Sequence, residues 1–303
     1  MDYVANKSDL SVIVARRREK FSKGARDRIL NDSLNDTALL SRSSQNGTAG
    51  ITALQRDQSK RVQFFKSLKD EYDQDAINDP KGFELKLRKL REIIVSVYDE
   101  NRRDSQFLQL AEDAYILSYK FMVEHHNNSA SLVSILEFMI NNNLKCSKKF
   151  LPTYIIYITH SLKNLETALQ LNYKYYYETD SLLYYTLLRS SLIYVQSTES
   201  PSEWFKILAD IKIAIVGADE LSQENILFQY LINSEHMEVM KLKTLSHLSK
   251  CFNQLPLAYA VDQLFCNFID KSYLIRKGYK VDTTKSGTVM IIFKDRSNNK
   301  PSS

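Results

Sequence analysis

Glycine and proline are scarce in this chain, and this scarcity constrains the fold more than any other feature of the sequence. Only seven glycines and five prolines occur among 303 residues, which is below their ordinary usage in globular proteins. Strands joined by tight turns need these residues at many positions, whereas long helices need few. Because 44% of the residues are hydrophobic, the chain can still bury a sizeable core. The composition therefore predicts a mostly α-helical protein.

The spacing of the apolar residues predicts where the helices lie. After Asp79-Pro80, apolar side chains recur at intervals of three and four residues, as on a helix packed against a neighbour; they are Phe83, Leu87, Leu90, Ile94 and Val97. The same period predicts further helices near residues 107–123, 132–140, 152–161, 165–177, 181–195, 201–216, 220–232 and 238–252. Helices of this size in series are typical of a helical-repeat, tetratricopeptide-like stack, although no fixed-period consensus is present.

The C-terminal part of the chain departs from this pattern. After a helix around Leu245, the chain turns at Leu255-Pro256-Leu257, and two short helices then end at Lys277-Gly278. Two β-segments, 279–281 and 288–293, flank a Thr-Thr-Lys-Ser-Gly turn. Helix, helix, helix and β-hairpin is the order of a winged helix. The predicted divisions are a disordered basic tail at 1–58, a helical-repeat domain at 59–236, a winged-helix module at 237–295 and a disordered tail at 296–303.

Charge is unevenly distributed along the chain. Residues 1–60 carry 11 basic and 7 acidic side chains, residues 61–236 carry 19 and 24, and residues 237–303 carry 11 and 5. The two basic ends could attract nucleic-acid phosphates, while the acidic middle would repel them. The possible phosphate contacts are Arg16, Arg17, Arg18, Lys277, Lys280 and Lys285.

The three cysteines and the hydropathy pattern indicate a compartment. The cysteines form no CxxC pair, which favours a reducing environment. Neither a signal-peptide core nor eighteen uncharged apolar residues in a row is present. We therefore expect a protein of the nucleus, the cytoplasm or both, without a membrane partner.

The sequence gives no reason to nominate a catalytic, cofactor-binding or metal-binding residue. His125-His126 is the only close histidine pair, and adjacent helical residues point about 100° apart, so the two cannot easily share an ion. The other histidines, His160, His236 and His247, are isolated in the sequence. Neither a Gly-x-Ser-x-Gly motif nor a glycine-rich nucleotide loop occurs. We expect a protein that is not an enzyme, unless the fold gathers perturbed histidines or carboxylates in a pocket.

Tyrosines cluster between residues 173 and 185. Tyrosines that share a helical spacing with leucines are typical of a core or of a partner surface. Tyrosines that alternate with a cation, here Lys174, could also stack on nucleic-acid bases. We interpret the cluster first as a protein interface. Its members are Tyr173, Tyr175, Tyr176, Tyr177, Tyr184 and Tyr185.

A resemblance to a known family extends over about residues 80–295. It rests on apolar positions and element order in Leu90-Arg91-Glu92-Ile93-Ile94, the Ala111–Phe121 helix, Leu132–Phe138, the Tyr184–Trp204 hairpin and Leu245–Phe293. In these segments the chain resembles the PCI-domain superfamily, in which a helical stack leads into a winged helix. The nearest branch is the short one. It groups the eighth signalosome subunit, the non-ATPase subunit eight of the proteasome lid and subunit k of initiation factor three with related fungal proteins.

The resemblance implies a non-catalytic scaffold subunit that docks into a multiprotein complex of the PCI type through its winged helix. On that hypothesis, the partner interface is an exposed hydrophobic strand edge formed by Val289, Ile291 and Phe293. The alternative is an RNA- or DNA-binding protein that uses its basic tail and winged helix, because messenger-RNA processing and export factors combine a similar helical stack with a winged helix.

Overall fold

The computed structural model of the chain describes residues 54–125 and 129–294. Within these residues the chain is mostly helical and carries a small three-stranded antiparallel sheet towards its C-terminal end. It divides into two compact units between Phe121 and Met122. The predicted boundary at 236/237 falls inside the second unit and stays a prediction. Residues 1–53 of the predicted N-terminal tail and all of the predicted tail 296–303 lie outside the described residues.

Within residues 54–121, the first unit contains three long helices. They are α1 (Gln58–Asp73), α2 (Pro80–Asn101) and α3 (Ser105–Glu124), of which α3 ends just beyond the unit. Pro80 stands in the first turn of α2, where its missing N–H costs no hydrogen bond. The apolar residues whose spacing predicted α2 are all buried, and so are those whose spacing predicted α3. The rings of Phe83 on α2 and Phe121 on α3 have centres 4.9 Å apart. Leu54, inside the predicted tail, is also fully buried.

The second unit has a central helix surrounded by others. Its helices α4 to α10 are Ser129–Asn141, Ser147–His160, Leu165–Tyr176, Ser181–Gln196, Pro201–Ala214, Gln223–Asn233 and Glu235–Cys251. The central helix is α5, which packs against α4, α6, α7 and α9. Its residues from Phe150 to His160 are buried except for Tyr154. Because α5 is apolar on all sides, it forms the core of this unit.

The C-terminal elements follow α10 directly. They are β1 (Gln254–Pro256), α11 (Leu257–Tyr259, continued by a π-helical turn at Ala260–Leu264), α12 (Lys271–Arg276), β2 (Lys280–Thr283) and β3 (Val289–Ile292). The Phe265 ring lies 5.1 Å from that of Phe205 on α8, so these elements share a core with the preceding helices. The predicted hairpin of β2 and β3 is confirmed, but the third strand, β1, was not predicted.

The hairpin turn shows why the sequence signal was sufficient there. Gly287 has a φ of +85°, a conformation that glycine adopts without strain, and its N–H donates to the Thr284 carbonyl at 2.9 Å. The turn sets the register, in which Val281 lies opposite Ile291 and Asp282 opposite Met290. Ile291 also lies opposite Leu255 of β1, and both side chains are buried on the inner face of the sheet.

Candidate functional site

The predicted strand edge at the C-terminus is not an edge. The strand order is β1-β3-β2, so β3, which carries Val289 and Ile291, is paired on both sides. Ile291 is fully buried, and the backbone N–H of Phe293 donates to the Asn253 carbonyl at 2.8 Å. The prediction that Val289, Ile291 and Phe293 form an exposed edge is therefore wrong. The physical reason is β1, a three-residue strand too short to show a period in the sequence.

The free edge beside the turn belongs to β2. Antiparallel residues alternate between facing the partner strand and facing away from it. The backbone N–H of Thr284 donates to the Thr288 carbonyl across the turn at 2.9 Å. The backbone N–H and C=O groups of Lys280 and Asp282 therefore point towards β3, and those of Val281 and Thr283 point away from it. The outward N–H of Thr283 already donates to the Asp282 carboxylate at 2.8 Å. The backbone of Val281 is therefore the main hydrogen-bonding group that this edge presents.

The lysines predicted as phosphate contacts lie around this module in different settings. Lys277 forms an ion pair with Glu238 of α10, and Lys280 lies 3.8 Å from the Asp282 carboxylate. Lys285 is exposed in the hairpin turn. Two of these three charges are thus partly neutralised by neighbouring carboxylates, which weakens their attraction for phosphate. The predicted contacts Arg16, Arg17 and Arg18 lie outside the described residues.

Two histidines that are 76 residues apart in the sequence meet inside the second unit. The rings of His160 on α5 and His236 on α10 lie 5.3 Å apart, and both side chains are buried. Tyr194 of α7 stacks on His160 at 3.8 Å. The two histidines are thus isolated in the sequence but adjacent in the structure. They come from separate helices, so no spacing in the sequence could have revealed the cluster.

Hydrogen bonds fix His160 in its neutral form. The Trp204 indole N–H donates to His160 Nε2 at 3.3 Å, so this nitrogen must be an acceptor. The proton of the neutral ring is then on Nδ1, which lies 2.8 Å from Thr159 Oγ1. Protonation of Nε2 would place its N–H group against the indole N–H of Trp204. Burial, followed by the neighbouring His236, lowers the pKa of His160 well below its ordinary value.

His236 is held from both sides. Tyr194 Oη lies 2.9 Å from its Nδ1, and Ser161 Oγ lies 3.1 Å from its Nε2. Burial and then the Lys163 cation lower the pKa of His236 to about 4. A Ser–His pair with a third orienting group resembles a nucleophile and its general base. Here the third group is a tyrosine whose pKa burial raises to about 12, so it offers no negative charge to an imidazolium.

Cations rather than carboxylates dominate the surroundings of the cluster. The Lys163 ammonium lies 4.1 Å from the centre of the Tyr194 ring. Lys243 Nζ donates to the carbonyls of Ile193 and Tyr194 at 3.1 Å each, which satisfies the end of α7. These positive charges oppose the protonation that general-base catalysis would require of His236. The arrangement favours a structural role, in which the cluster joins α5, α7, α8 and α10.

A cavity of about 560 Å³ lies beside this cluster. Ser161, Tyr230 and His236 line one wall, and Met122, Leu132 and Met237 contribute apolar surface. Its volume is in the range of small-molecule sites. Its charged lining residues are Glu235, Glu238 and Lys241. Glu238 forms an ion pair with Lys277, and the carboxylate of Glu235 interacts electrostatically with Lys163, so both negative charges have cationic partners within the protein.

No family model, curated protein or solved structure matches the chain. Within residues 54–125 and 129–294, no three histidines, cysteines or acidic residues come together in a way that could hold a metal ion. In the same part of the chain, every helix is too short or too polar to span a bilayer.

Proposed function

We propose that this chain is a non-catalytic scaffold subunit of a multiprotein complex of the PCI type, acting in the nucleus, the cytoplasm or both. The observation that carries the proposal is the element order α10–β1–α11–α12–β2–β3 with β3 in the middle of the sheet. This is the order expected of a winged helix, and it follows a long series of helices, as in the short branch that the sequence resembles.

The packing between the C-terminal module and the helices before it supports the same proposal. Phe265 and Phe268 contact Phe205 of α8, and Phe268 also faces Phe228 of α9 at 6.5 Å. A module fixed in this way presents its sheet in a defined direction, which suits a docking element. The tetratricopeptide-like character of the helices remains part of the proposal.

The docking surface that we propose is the edge of β2. An extended segment of a partner can add to a free strand edge through backbone hydrogen bonds. At this edge the backbone N–H and C=O of Val281 point away from β3. The outer face of the neighbouring β3 adds the half-buried side chains of Met290 and Ile292. This surface replaces the predicted one at Val289, Ile291 and Phe293, because a substitution at buried Ile291 would unfold the module instead of testing an interface.

The test is affinity purification of the full-length protein from its native cells at low salt, with mass spectrometry of the bound proteins. Val281→Pro removes the outward N–H and blocks strand addition, while proline is tolerated on strand edges. The matched control is Lys285→Pro in the same hairpin, at a turn position that suits proline. We expect stoichiometric subunits with the wild type and with Lys285→Pro, and their loss with Val281→Pro. Retention of all partners by Val281→Pro, at unchanged folding, would refute docking through this edge.

Nucleic-acid binding is the alternative function. Exposed basic residues on the C-terminal module favour it, and they are Lys271, Arg276, Lys285 and Lys294. Binding through phosphates weakens linearly with the logarithm of salt concentration, whereas strand addition responds little to salt. If the partners disappear on nuclease treatment and the affinity falls steeply with salt, the alternative replaces the scaffold proposal.

A further inference from the structure

Most of the tyrosine cluster predicted from the sequence lies at the surface of the α6–α7 hairpin, while Tyr176 is buried in the core. Tyr173 and Tyr185 are each 58% exposed, Tyr177 is 49% exposed and Leu182 is 76% exposed. Exposed aromatic side chains are common when they are scattered over a surface. A contiguous group of them more often marks an interaction site. We call this surface, formed by Tyr173, Tyr177, Leu182, Tyr184 and Tyr185, the tyrosine face.

The rings of the tyrosine face touch one another in a continuous row. Tyr173 and Tyr177 stack with centres 4.6 Å apart, Tyr177 meets Tyr184 edge-on at 5.4 Å, and Tyr184 meets Tyr185 at 5.2 Å. The hairpin beneath is fixed, since the buried Asn172 amide donates to the Tyr184 carbonyl at 2.9 Å. The row is therefore a preorganised surface, and ordering it on binding would cost little conformational entropy.

Negative charge borders the row of rings. The α6–α7 hairpin, residues 165–196, contains three carboxylates, Glu166, Glu178 and Asp180, and two cations, Lys174 and Arg189. The charge of Arg189 is paired with Glu199 and Glu203. Glu166, Tyr173 and Tyr177 are seven and four residues apart, so they lie along one face of α6. Glu178 follows Tyr177 directly and is exposed. The Lys174 ammonium lies over the Tyr175 ring at 5.0 Å, and Tyr175 is outside the row.

We propose that the tyrosine face binds an arginine-bearing segment of a partner protein. A guanidinium stacks on aromatic faces and pairs with carboxylates, and this face offers both. The protein already places cations on its own rings, with Lys163 on Tyr194 at 4.1 Å and Lys241 on Tyr273 at 5.0 Å. The carboxylates would repel nucleic-acid phosphates, although the rings could stack bases. This surface is separate from the β2 edge, so the proposal does not depend on the proposed function.

The experiment is calorimetric titration of the full-length protein with a 12-residue peptide of alternating arginine and glycine. A lysine–glycine peptide of equal charge and a thymidine 12-mer are the comparison ligands. We expect the arginine peptide to bind several-fold more tightly than the lysine peptide. The thymidine 12-mer is titrated by itself, because it would pair with the arginine peptide in solution, and its affinity should not depend on the tyrosine face. The variant Tyr173→Ser/Tyr177→Ser/Tyr185→Ser should lose about tenfold or more in affinity, because each cation–π contact at an exposed site contributes roughly two- to fivefold.

Tyr259→Ser is the matched control, since Tyr259 is 50% exposed elsewhere in the same unit. It should bind the arginine peptide as the wild type does. Glu178→Gln should lower the affinity for the arginine peptide severalfold, and this loss of affinity should be smaller at high salt. The proposal would be overturned by equal affinity for the arginine and lysine peptides or by unchanged affinity of a folded triple variant for the arginine peptide. A triple variant that loses affinity for the thymidine 12-mer would overturn it as well. If the triple variant is unfolded, Tyr185→Ser alone decides, because it should retain the fold and still lose affinity.

Discussion

Acidification should destabilise the second unit through its two buried histidines. In the unfolded chain each imidazole has an ordinary pKa near 6.5, whereas the folded protein lowers the pKa of His236 to about 4 and that of His160 well below the ordinary value. The unfolded state therefore binds more protons than the folded state below pH 6.5. Stability is accordingly complete above pH 6.5 and decreases as the pH falls through the window down to the folded pKa.

The magnitude follows from this difference in proton binding. Each histidine reduces the free energy of unfolding by about 1.4 kcal/mol per pH unit once the pH is well below 6.5. Between pH 7.5 and pH 4.5 the loss is about 2.5 kcal/mol for His236, and His160 adds to this loss in the same direction. A domain is typically stable by only about 5–15 kcal/mol, so this loss is a large part of the total.

The assay is urea unfolding at pH 7.5, 6.5, 5.5 and 4.5, followed by tryptophan fluorescence. Trp204 is the only tryptophan of the chain, and it donates directly to His160, so its fluorescence reports on the second unit. His236→Gln keeps polar atoms beside Tyr194 and Ser161 but cannot titrate. We expect it to remove the contribution of about 2.5 kcal/mol that His236 makes between pH 7.5 and pH 4.5. His247→Gln, at an exposed position of the same helix, should leave the pH dependence unchanged.

Two results would refute this reasoning. If the stability of the wild type does not change between pH 7.5 and pH 4.5, the histidines are not held neutral by the packing described above. If His236→Gln shows the full pH dependence of the wild type, other groups cause the destabilisation, and burial beside Lys163 does not exclude the proton from the His236 ring.

Three further predictions concern stability and can be measured by chemical denaturation at neutral pH. Ile291→Ala should cost about 2–5 kcal/mol because Ile291 is fully buried in the sheet, whereas Ile275→Ala, at a 54% exposed position, should cost well under about 1 kcal/mol. Asp57→Ala should cost about 1 kcal/mol because its carboxylate caps α1, while Asp79→Ala should stay within about 0.5 kcal/mol because Asp79 makes no side-chain cap on α2. Lys243→Gln should cost about 1–3 kcal/mol, since it removes the charged donor to two carbonyls at the end of α7; a neutral result would mean that water satisfies them equally well.

The helices could be predicted from the sequence because helix formation depends on local periodicity. The predicted segment 165–177 is observed as Leu165–Tyr176, and the predicted 181–195 as Ser181–Gln196. The β2–β3 hairpin was also predictable, since Gly287 marks a turn in which only a few residue types fit. Each of these features is encoded within a window of about 20 residues, where pattern and propensity are sufficient.

What the tertiary structure decided are the relations between distant segments. The strand β1 exists because Leu255 pairs with Ile291, 36 residues further along the chain, and that pairing turned the predicted free edge into the centre of a sheet. The histidine cluster likewise requires α5, α7, α8 and α10 to meet. Sequence by itself determined which residues are helical and which stripes are apolar, because these depend on neighbours along the chain. Only packing decided which strand is an edge and which histidines share an environment, because those properties depend on neighbours in space.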